Sequence, residues 1–116
     1  MQDEFKVTSA PGRGRTALLR LHGSLDARTA PLLLEKSAEV QANGQNLVLN
    51  LAGVSFVGSS GIGALLILVE QFQEQSGKVR LAALSPAAEA VVKLLSLDEL
   101  LAIDRTEDEA LEALER

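Results

Sequence analysis

The sequence lacks several residue types on which common functional sites depend. It has no cysteine, tryptophan or tyrosine, and His22 is the one histidine among 116 residues. Without thiols or paired imidazoles, it can form neither a disulfide framework nor a zinc site of the usual ligands. Only 3% of the residues are aromatic, so the hydrophobic 47% is mainly aliphatic. We expect an aliphatic core and a protein without a metal or other cofactor.

Long apolar runs and an excess of positive charge are also missing. The longest unbroken apolar stretch, residues 62–69, is too short to span a bilayer, and the opening MQDEFK is acidic where a secretory signal would be basic. The formal net charge of -5 disfavours contact with nucleic acid or anionic lipid. We interpret the basic cluster of Arg13, Arg15 and Arg20 as a solvated hairpin turn, because proline and glycines surround it. We therefore expect a cytoplasmic protein that has no nucleic-acid partner and does not insert into a membrane.

The remaining residues form patterns typical of a single α/β domain spanning residues 1–116. The segments EFKVTS and TALLRLHG lie on either side of a Pro-Gly turn, which predicts an antiparallel β-hairpin. In QNLVLNLAGV, Leu47, Leu49 and Leu51 share one face and Val48 lies on the other, as in a strand that is covered on both sides. The shorter runs KVRLAAL and ELLAID predict two more strands.

Helix start and stop signals separate these strands. The first predicted helix begins at Asp26 or Thr29 and ends at Asn43-Gly44, and the second spans residues 61–76. The third follows a Ser85-Pro86 cap, and the fourth follows a capping box of Thr106 and Glu109. Strands that are joined through helices run parallel. The predicted fold is therefore α/β, with a mixed, mostly parallel sheet, an N-terminal β-hairpin and about four helices.

A glycine-serine turn precedes the most apolar helix, in the segment FVGSSGIGALLILVEQF. Gly58 to Gly61 fall at the carboxyl end of the central strand and the amino end of this helix, where free N–H groups suit an oxygen ligand or an attached phosphate. The simplest interpretation is that Ser59 or Ser60 caps the helix. The turn lacks the spacing of a nucleophile elbow, of a phosphate-binding loop or of a dinucleotide fingerprint.

The helix after the turn has one conspicuous outer residue. At about 100° per residue, the face predicted to lie on the sheet gathers Ile62, Leu65, Leu66, Val69 and Phe72. Ile67 falls nearly opposite, and its side of the helix also holds Gly63, Ala64, Glu70, Gln71 and Glu74. A single exposed isoleucine is ordinary, but an apolar spot rimmed by carboxylates beside a serine turn also fits a protein-docking surface.

Three segments together resemble the STAS domain family, and within it the single-domain anti-sigma factor antagonists of bacteria. They are LHGSLDARTA, LVLNLAGVSFVGSSGIGALL and KVRLAALSPAAEAVVKLLSLDELLAI, which span most of the chain. The resemblance implies a regulatory protein, not an enzyme, which binds an anti-sigma factor that is also a serine protein kinase of the histidine-kinase-like ATPase class. It implies phosphorylation of the residue before the glycine of the turn, which is Ser60 here with Ser59 as second choice, and reversal by a serine phosphatase.

The resemblance also implies a partner-binding surface. It places an acid, Asp26, near the phosphorylated serine, although Asp26 also suits a helix N-cap. The residues expected to contact the partner are Asp26, Gly58, Ser59, Ser60, Gly61, Gly63 and Ile67. Gly61 and Gly63 are expected to allow close backbone approach, and a tight turn alone would also explain Gly61.

Two residues depart from the family pattern. Gly58 stands where family members usually have Asp, and Asn50 stands where they often have Asp. Without the acid at position 58, the turn is less able to coordinate magnesium or to orient a hydroxyl.

Two other functions stay open beside the phosphorylation switch. The first is an unphosphorylated STAS adaptor in a signalling or transport assembly. The second is a small hydrolase with Ser60 as nucleophile, which is disfavoured because no base is placed to activate the hydroxyl. His22 is expected at the surface of a strand.

Overall fold

The computed structural model of the chain describes residues 4–115. The strands are β1 (Lys6–Arg13), β2 (Thr16–Leu25), β3 (Asn46–Val57), β4 (Val79–Ala82) and β5 (Ala102–Asp104). The helices are α1 (Ala30–Ala42), α2 (Ser59–Glu74), α3 (Pro86–Leu94) and α4 (Glu107–Glu115), and a short 3-10 helix at Leu97–Glu99 precedes β5.

The five strands form one sheet whose spatial order follows the chain, β1-β2-β3-β4-β5. β1 pairs antiparallel with β2, and the later pairs are all parallel. The predicted mixed sheet with an N-terminal hairpin is therefore confirmed. The hairpin turn lies at residues 14–15, later than the Pro-Gly pair, because β1 continues past an irregularity between Ala10 and Arg13.

Helices cover both faces of the sheet, but unequally. The larger core places Leu47, Leu49 and Leu51 of β3 against the helices that connect the parallel strands, α1, α2 and α3. This arrangement follows from crossovers of one hand to successive neighbouring strands, which keep their helices on one face. A smaller core on the other face joins Val48 to Ala110 and Leu111 of α4. β3 is thus covered on both sides, as its sequence predicts.

Side-chain caps define the starts of two helices. Ser85 Oγ accepts a hydrogen bond of 3.1 Å from the Ala88 N–H, and Pro86 is the first residue of α3. Thr106 Oγ1 accepts one of 3.1 Å from the Glu109 N–H. Both predicted helix starts are confirmed.

Charged residues fasten α4 to the sheet. Arg20 of β2 donates two hydrogen bonds, of 2.7 and 2.9 Å, to the carboxylate of Glu107, and Asn50 Nδ2 donates a third. Hydrogen bonding from Arg20, with a smaller contribution from Asn50, holds the pKa of Glu107 below its usual range despite partial burial. Arg13 pairs with Asp108 at 3.0 Å. The three arginines of the cluster are exposed, as predicted, and Arg13 and Arg20 in addition bind α4.

β3 contains two residues more than β2, with 12 against 10. The pairing register shifts by one residue after Asn50 and by one more after Val54. Because strand side chains alternate between faces, each extra residue reverses the alternation. Val54 and Val57 consequently both lie in the larger core although three positions separate them.

Candidate functional site

The glycine-serine turn joins the end of β3 to the start of α2 and is held by β2. Gly58 is the N-cap residue, with φ -92° and ψ 176°, so its backbone is extended. Its N–H donates a hydrogen bond of 2.9 Å to the carbonyl oxygen of Leu25 at the end of β2. The Ile62 N–H then bonds to the Gly58 carbonyl at 3.0 Å, which begins the helix. The turn is therefore positioned at the carboxyl ends of two adjacent parallel strands.

Ser59 and Ser60 are the first two residues of α2, and both are exposed. The prediction that one of them caps the helix was wrong. An N-cap residue needs non-helical backbone angles, and Gly58 has them one residue earlier. Within residues 4–115, neither serine hydroxyl has a hydrogen-bond partner. Both hydroxyls are thus open to solvent at the amino end of the helix.

The two glycines that follow have different surroundings. Gly61 is buried, and a Cβ atom there would lie 2.5 Å from the carbonyl oxygen of Leu25. The predicted close approach of the backbone at Gly61 is therefore made to β2, within the chain. For this reason Gly61 is not included in the partner-binding surface that we propose below. A Cβ atom on Gly63 would meet nothing within 4 Å. Packing within the described chain does not require glycine at position 63.

The orientation of α2 differs from the predicted one. Its buried residues are Gly61, Ala64, Leu65, Leu68 and Phe72. Ala64 is only 3% exposed, so its predicted place on the outer side was wrong. The helix packs against α1 as well as the sheet, and Gln41 Nε2 donates a hydrogen bond of 2.8 Å to the Gln71 carbonyl. The Ala64 side of α2 therefore faces the larger core.

Ile67 remains on the outer side of α2, as predicted, with 45% of its surface exposed. Ser60 and Ile67 are seven positions apart, which is within about 20° of two full helical turns. Gly63 lies between them on the same side of the helix, and exposed Glu74 continues the strip. The helix therefore presents a serine, a glycine and an isoleucine in one line.

Asp26 lies beside the serine turn. Its Oδ1 accepts hydrogen bonds from the N–H groups of Arg28 at 3.0 Å and Thr29 at 3.3 Å, just before α1 begins. Thr29 is the N-cap residue by position, but its side chain makes no capping bond. A Cβ atom on Gly58 would lie 3.8 Å from the Cβ of Asp26. The structure thus brings together the acid and the turn that the sequence had related only by resemblance.

Phe56 is also at this site, and the sequence did not indicate it. Phe56 is 54% exposed, and its ring atom Cε2 lies 3.2 Å from where a Cβ of Gly58 would be. The available signal was the run Val54, Phe56 and Val57, whose spacing cannot place all three residues on one face of a regular strand.

The other departure from the family pattern, Asn50, belongs to a different part of the molecule. It pairs with Glu107 of α4, on the face of the sheet opposite α1, α2 and α3. An aspartate there would face the Glu107 carboxylate, and two adjacent carboxylates repel. The amide therefore suits its neighbours and takes no part in the serine turn.

Beside Asp26, the surface has an open groove of about 650 Å³. It is lined by Glu4, Phe5, Ser24, Asp26, Arg28, Thr29 and Ser55. The side chains that the structure describes include no cluster of three or more potential metal ligands. Of the helices in residues 4–115, none is both long and apolar enough to cross a bilayer. His22 is exposed on β2, as predicted.

Comparison with known proteins identifies relatives along most of the chain. The model of the STAS domain matches residues 8–110. An anti-sigma F factor antagonist of Lysinibacillus sphaericus is 29% identical over 99 residues, which cover 84% of this chain and 84% of that protein. The crystal structure of an anti-sigma factor antagonist from Mycobacterium paratuberculosis superimposes with a TM-score of 0.85 at 26% identity, covering 97% of this chain and 96% of that one.

A third relative shows the same fold. The phosphorylated form of SpoIIAA, a Bacillus cell fate determinant, has a TM-score of 0.68 at 24% identity and covers 96% of this chain and 99% of that one. The matched region of the STAS model begins within β1 and ends within α4, so it includes most of β1, the other four strands and the serine turn. The chain belongs to the STAS domain family.

Proposed function

We propose that this protein is an anti-sigma factor antagonist, a cytoplasmic regulator without catalytic activity. It binds an anti-sigma factor through a surface that we call the serine-turn surface. This surface consists of Asp26, Gly58, Ser59, Ser60, Gly63 and Ile67. The partner is also a serine protein kinase of the histidine-kinase-like ATPase class, which phosphorylates Ser60 and thereby releases itself, and a serine phosphatase reverses the modification.

One observation carries this proposal. The Ser60 hydroxyl is exposed and unpaired among residues 4–115, at the amino end of α2 and in line with the exposed side chain of Ile67. A kinase can reach such a hydroxyl without opening the fold. A protein that covers Ile67 also covers Ser60, because the helix places them on one side. Recognition and modification therefore share one surface.

The fold can accept a phosphate at Ser60. The first turn of α2 contains no acidic residue. No carboxylate of this turn therefore offsets the positive end of the helix dipole, which can interact with a phosphate. Negative charge at a helix amino end is stabilising by about 0.3–1 kcal/mol. We therefore expect phosphorylation to leave the stability of the fold nearly unchanged.

The bound partner cannot accept the phosphate as easily. Phosphorylation adds about 1.5 to 2 negative charges. At an interface this dianion must be desolvated, and the penalty for one buried ion is several kcal/mol. A penalty of about 3 kcal/mol weakens binding by a factor of about 150. Phosphorylation thus acts as a switch of binding and not of folding.

A phosphorylation assay tests the assignment of Ser60. The protein is incubated with ATP and the histidine-kinase-like ATPase encoded nearest its gene, and its intact mass is measured. We expect one phosphate on the natural protein and on Ser59→Ala, but none on Ser60→Ala. The Ser59→Ala variant is the matched control, because both serines are exposed in the same turn. A phosphate that survives Ser60→Ala would move the site elsewhere.

A binding measurement tests the surface. Ser60→Asp should weaken binding to the anti-sigma factor by about 100-fold, and Ile67→Glu should weaken it by at least about 10-fold. Each substitution buries an unpaired carboxylate in the complex. The control is Leu94→Glu, which makes the same kind of change at a leucine that is 81% exposed on α3. Ile67→Glu should leave the unfolding temperature nearly unchanged. Equal affinities for all three variants would refute the surface.

The unphosphorylated adaptor is the second candidate, and Gly58 favours it. At position 58 the chain lacks the carboxylate that family members usually have, so Asp26 is the acid that the structure places beside the turn. An adaptor would use the same surface without modification. Tight binding of the ATPase with no phosphate on either serine would support this function.

A further inference from the structure

We propose that Phe56 is the apolar anchor of the partner interface, and that its ring inserts into an apolar pocket of the anti-sigma factor. This inference rests on the proposed function and extends the serine-turn surface to the end of β3. Phe56 would contribute affinity and partner choice. Gly58 would act through Phe56, by leaving room for the ring across the turn.

The path of β3 turns Phe56 out of the core. In a regular strand, Phe56 would share the face of Val54, which is 2% exposed and lies in the larger core. The register shift at Ser55 inserts one residue opposite Gly23 and Ser24, so that Val57 takes the inner position and Phe56 the outer one. Bulges of this kind redirect side chains and are over-represented next to functional sites. The pairing of the two strands is irregular here, and Phe56 is left 54% exposed.

Gly58 and the ring are related by space and not by backbone conformation. Gly58 has extended backbone angles that any residue can adopt. A Cβ atom there would lie 3.2 Å from Cε2 and 3.8 Å from Cζ of the Phe56 ring. A Cβ atom at position 58 would therefore require the ring to shift by a few tenths of an ångström. Glycine lets the ring lie against the turn that carries Ser59 and Ser60.

The surroundings define the chemistry of the partner pocket. Asp26 also lies close to Gly58, because its Cβ is 3.8 Å from the position that a Cβ atom of residue 58 would occupy. The whole chain carries a formal charge of -5. A complementary partner therefore offers an apolar pocket with basic groups at its rim. Aromatic residues in the centre of an interface, next to smaller polar contacts, are frequent anchors of binding energy.

Substitutions at Phe56 test the anchor through the affinity of the intact protein for the anti-sigma factor. Phe56→Ala should weaken binding by about 10- to 100-fold, as truncation of an interface anchor does. Phe56→Leu should recover part of the affinity, and Gly58→Ala should weaken binding by displacing the ring. Leu94→Ala, which truncates an exposed leucine outside this surface, should have no effect. All four variants should keep the unfolding temperature of the natural protein within a few degrees.

Each other outcome overturns the inference in a recognisable way. If Phe56→Ala binds normally while Ser60→Asp does not bind, the anchor is wrong and the proposed function stands. If the natural protein does not bind the anti-sigma factor, both fail. A large loss of stability in Phe56→Ala and Phe56→Leu would make the ring a part of the core. A sedimentation coefficient that changes with Phe56→Ala alone would make a second copy of the chain the occupant.

Discussion

The amino ends of α2 and α3 use serine in opposite ways. Both helices follow a parallel strand of the same sheet, and both start at a turn that contains serine. Ser85 lies before α3, is 5% exposed and bonds to the Ala88 N–H. Ser59 and Ser60 lie within α2, are exposed and have no side-chain partner among residues 4–115. A displacement of one residue for Ser59, and of two for Ser60, relative to the N-cap position separates these exposed serines from Ser85, which stabilises the fold.

The amino ends of α2 and α3 also differ in the charge of their first turns. The first turn of α3 contains Glu89, whereas the first turn of α2 contains no acid. Acidic residues in a first turn offset the positive end of the helix dipole. The α2 end is therefore less well stabilised by its own side chains and better suited to receive a phosphate.

The substitution with the largest expected effect on this comparison is one that forces the start of α2 away from β2. Gly61→Ala should lower the free energy of unfolding by about 2–3 kcal/mol, because the new Cβ would lie 2.5 Å from the Leu25 carbonyl oxygen and 2.8 Å from Leu25 Cγ. Urea unfolding measures the change. A variant as stable as the natural protein would show that the helix start can shift freely.

The serine at α3 should matter more for stability than those at α2. Ser85→Ala removes a buried cap and should cost about 1 kcal/mol, whereas Ser59→Ala and Ser60→Ala should each stay within about 0.5 kcal/mol. The same urea unfolding experiment compares all three variants. Equal losses at positions 60 and 85 would contradict the difference between the two helix ends.

Gly63 sharpens the comparison from within α2. Gly63→Ala should stabilise the protein by up to about 1 kcal/mol, because alanine favours helix and its Cβ meets nothing within 4 Å. Under the proposed function, the same change should weaken binding of the anti-sigma factor, which approaches this position. A gain in stability with unchanged affinity would place the partner elsewhere on the helix.

The amino end of α4 extends the comparison to a third helix, where Glu107 pairs with Arg20. Loss of this ion pair should have the smallest effect on stability, because Arg20 is half exposed and solvent screens the pair. The pKa of Glu107 is lowered in the fold by Arg20, so its ionised form stabilises the protein above the unfolded pKa. This contribution is lost as the pH falls through the folded pKa. The natural protein should therefore exceed Glu107→Gln in stability at about pH 7 and lose that advantage as the pH falls through the lowered pKa of Glu107. Parallel stability curves would contradict the assignment.

The sequence predicted the fold more completely than the site. Alternating apolar residues and helix caps such as Ser85 and Thr106 act locally, so the strands, the helices and their order could be inferred. The orientation of α2 could not, because its first half is apolar on nearly every side, so its sequence alone does not show which side packs against the sheet and α1. The serines were misassigned for a related reason, since one pair of backbone angles at Gly58 decides which residue is the cap.

Phe56 escaped sequence analysis because its exposure depends on pairing between two strands. Neither β2 nor β3 alone specifies where the register shifts. The resemblance to a family related Asp26 to the serine turn, but it carried no information on the Phe56 side chain, which lies beside Gly58. Sites of this kind emerge when the strands are aligned in space.

The extra residues of β3 also suggest how such a scaffold can diversify. Pairing of the same residues with β2 without the register shift at Ser55 would restore simple alternation at the strand end and turn the phenylalanine toward the interior, while the sheet order and the helices could stay as they are. A shift of one residue in the pairing near this end would then exchange the side chains that the molecule displays for those that it buries. Relatives with the same architecture could acquire different partners through strand register alone, without any change in the chemistry of the displayed loop.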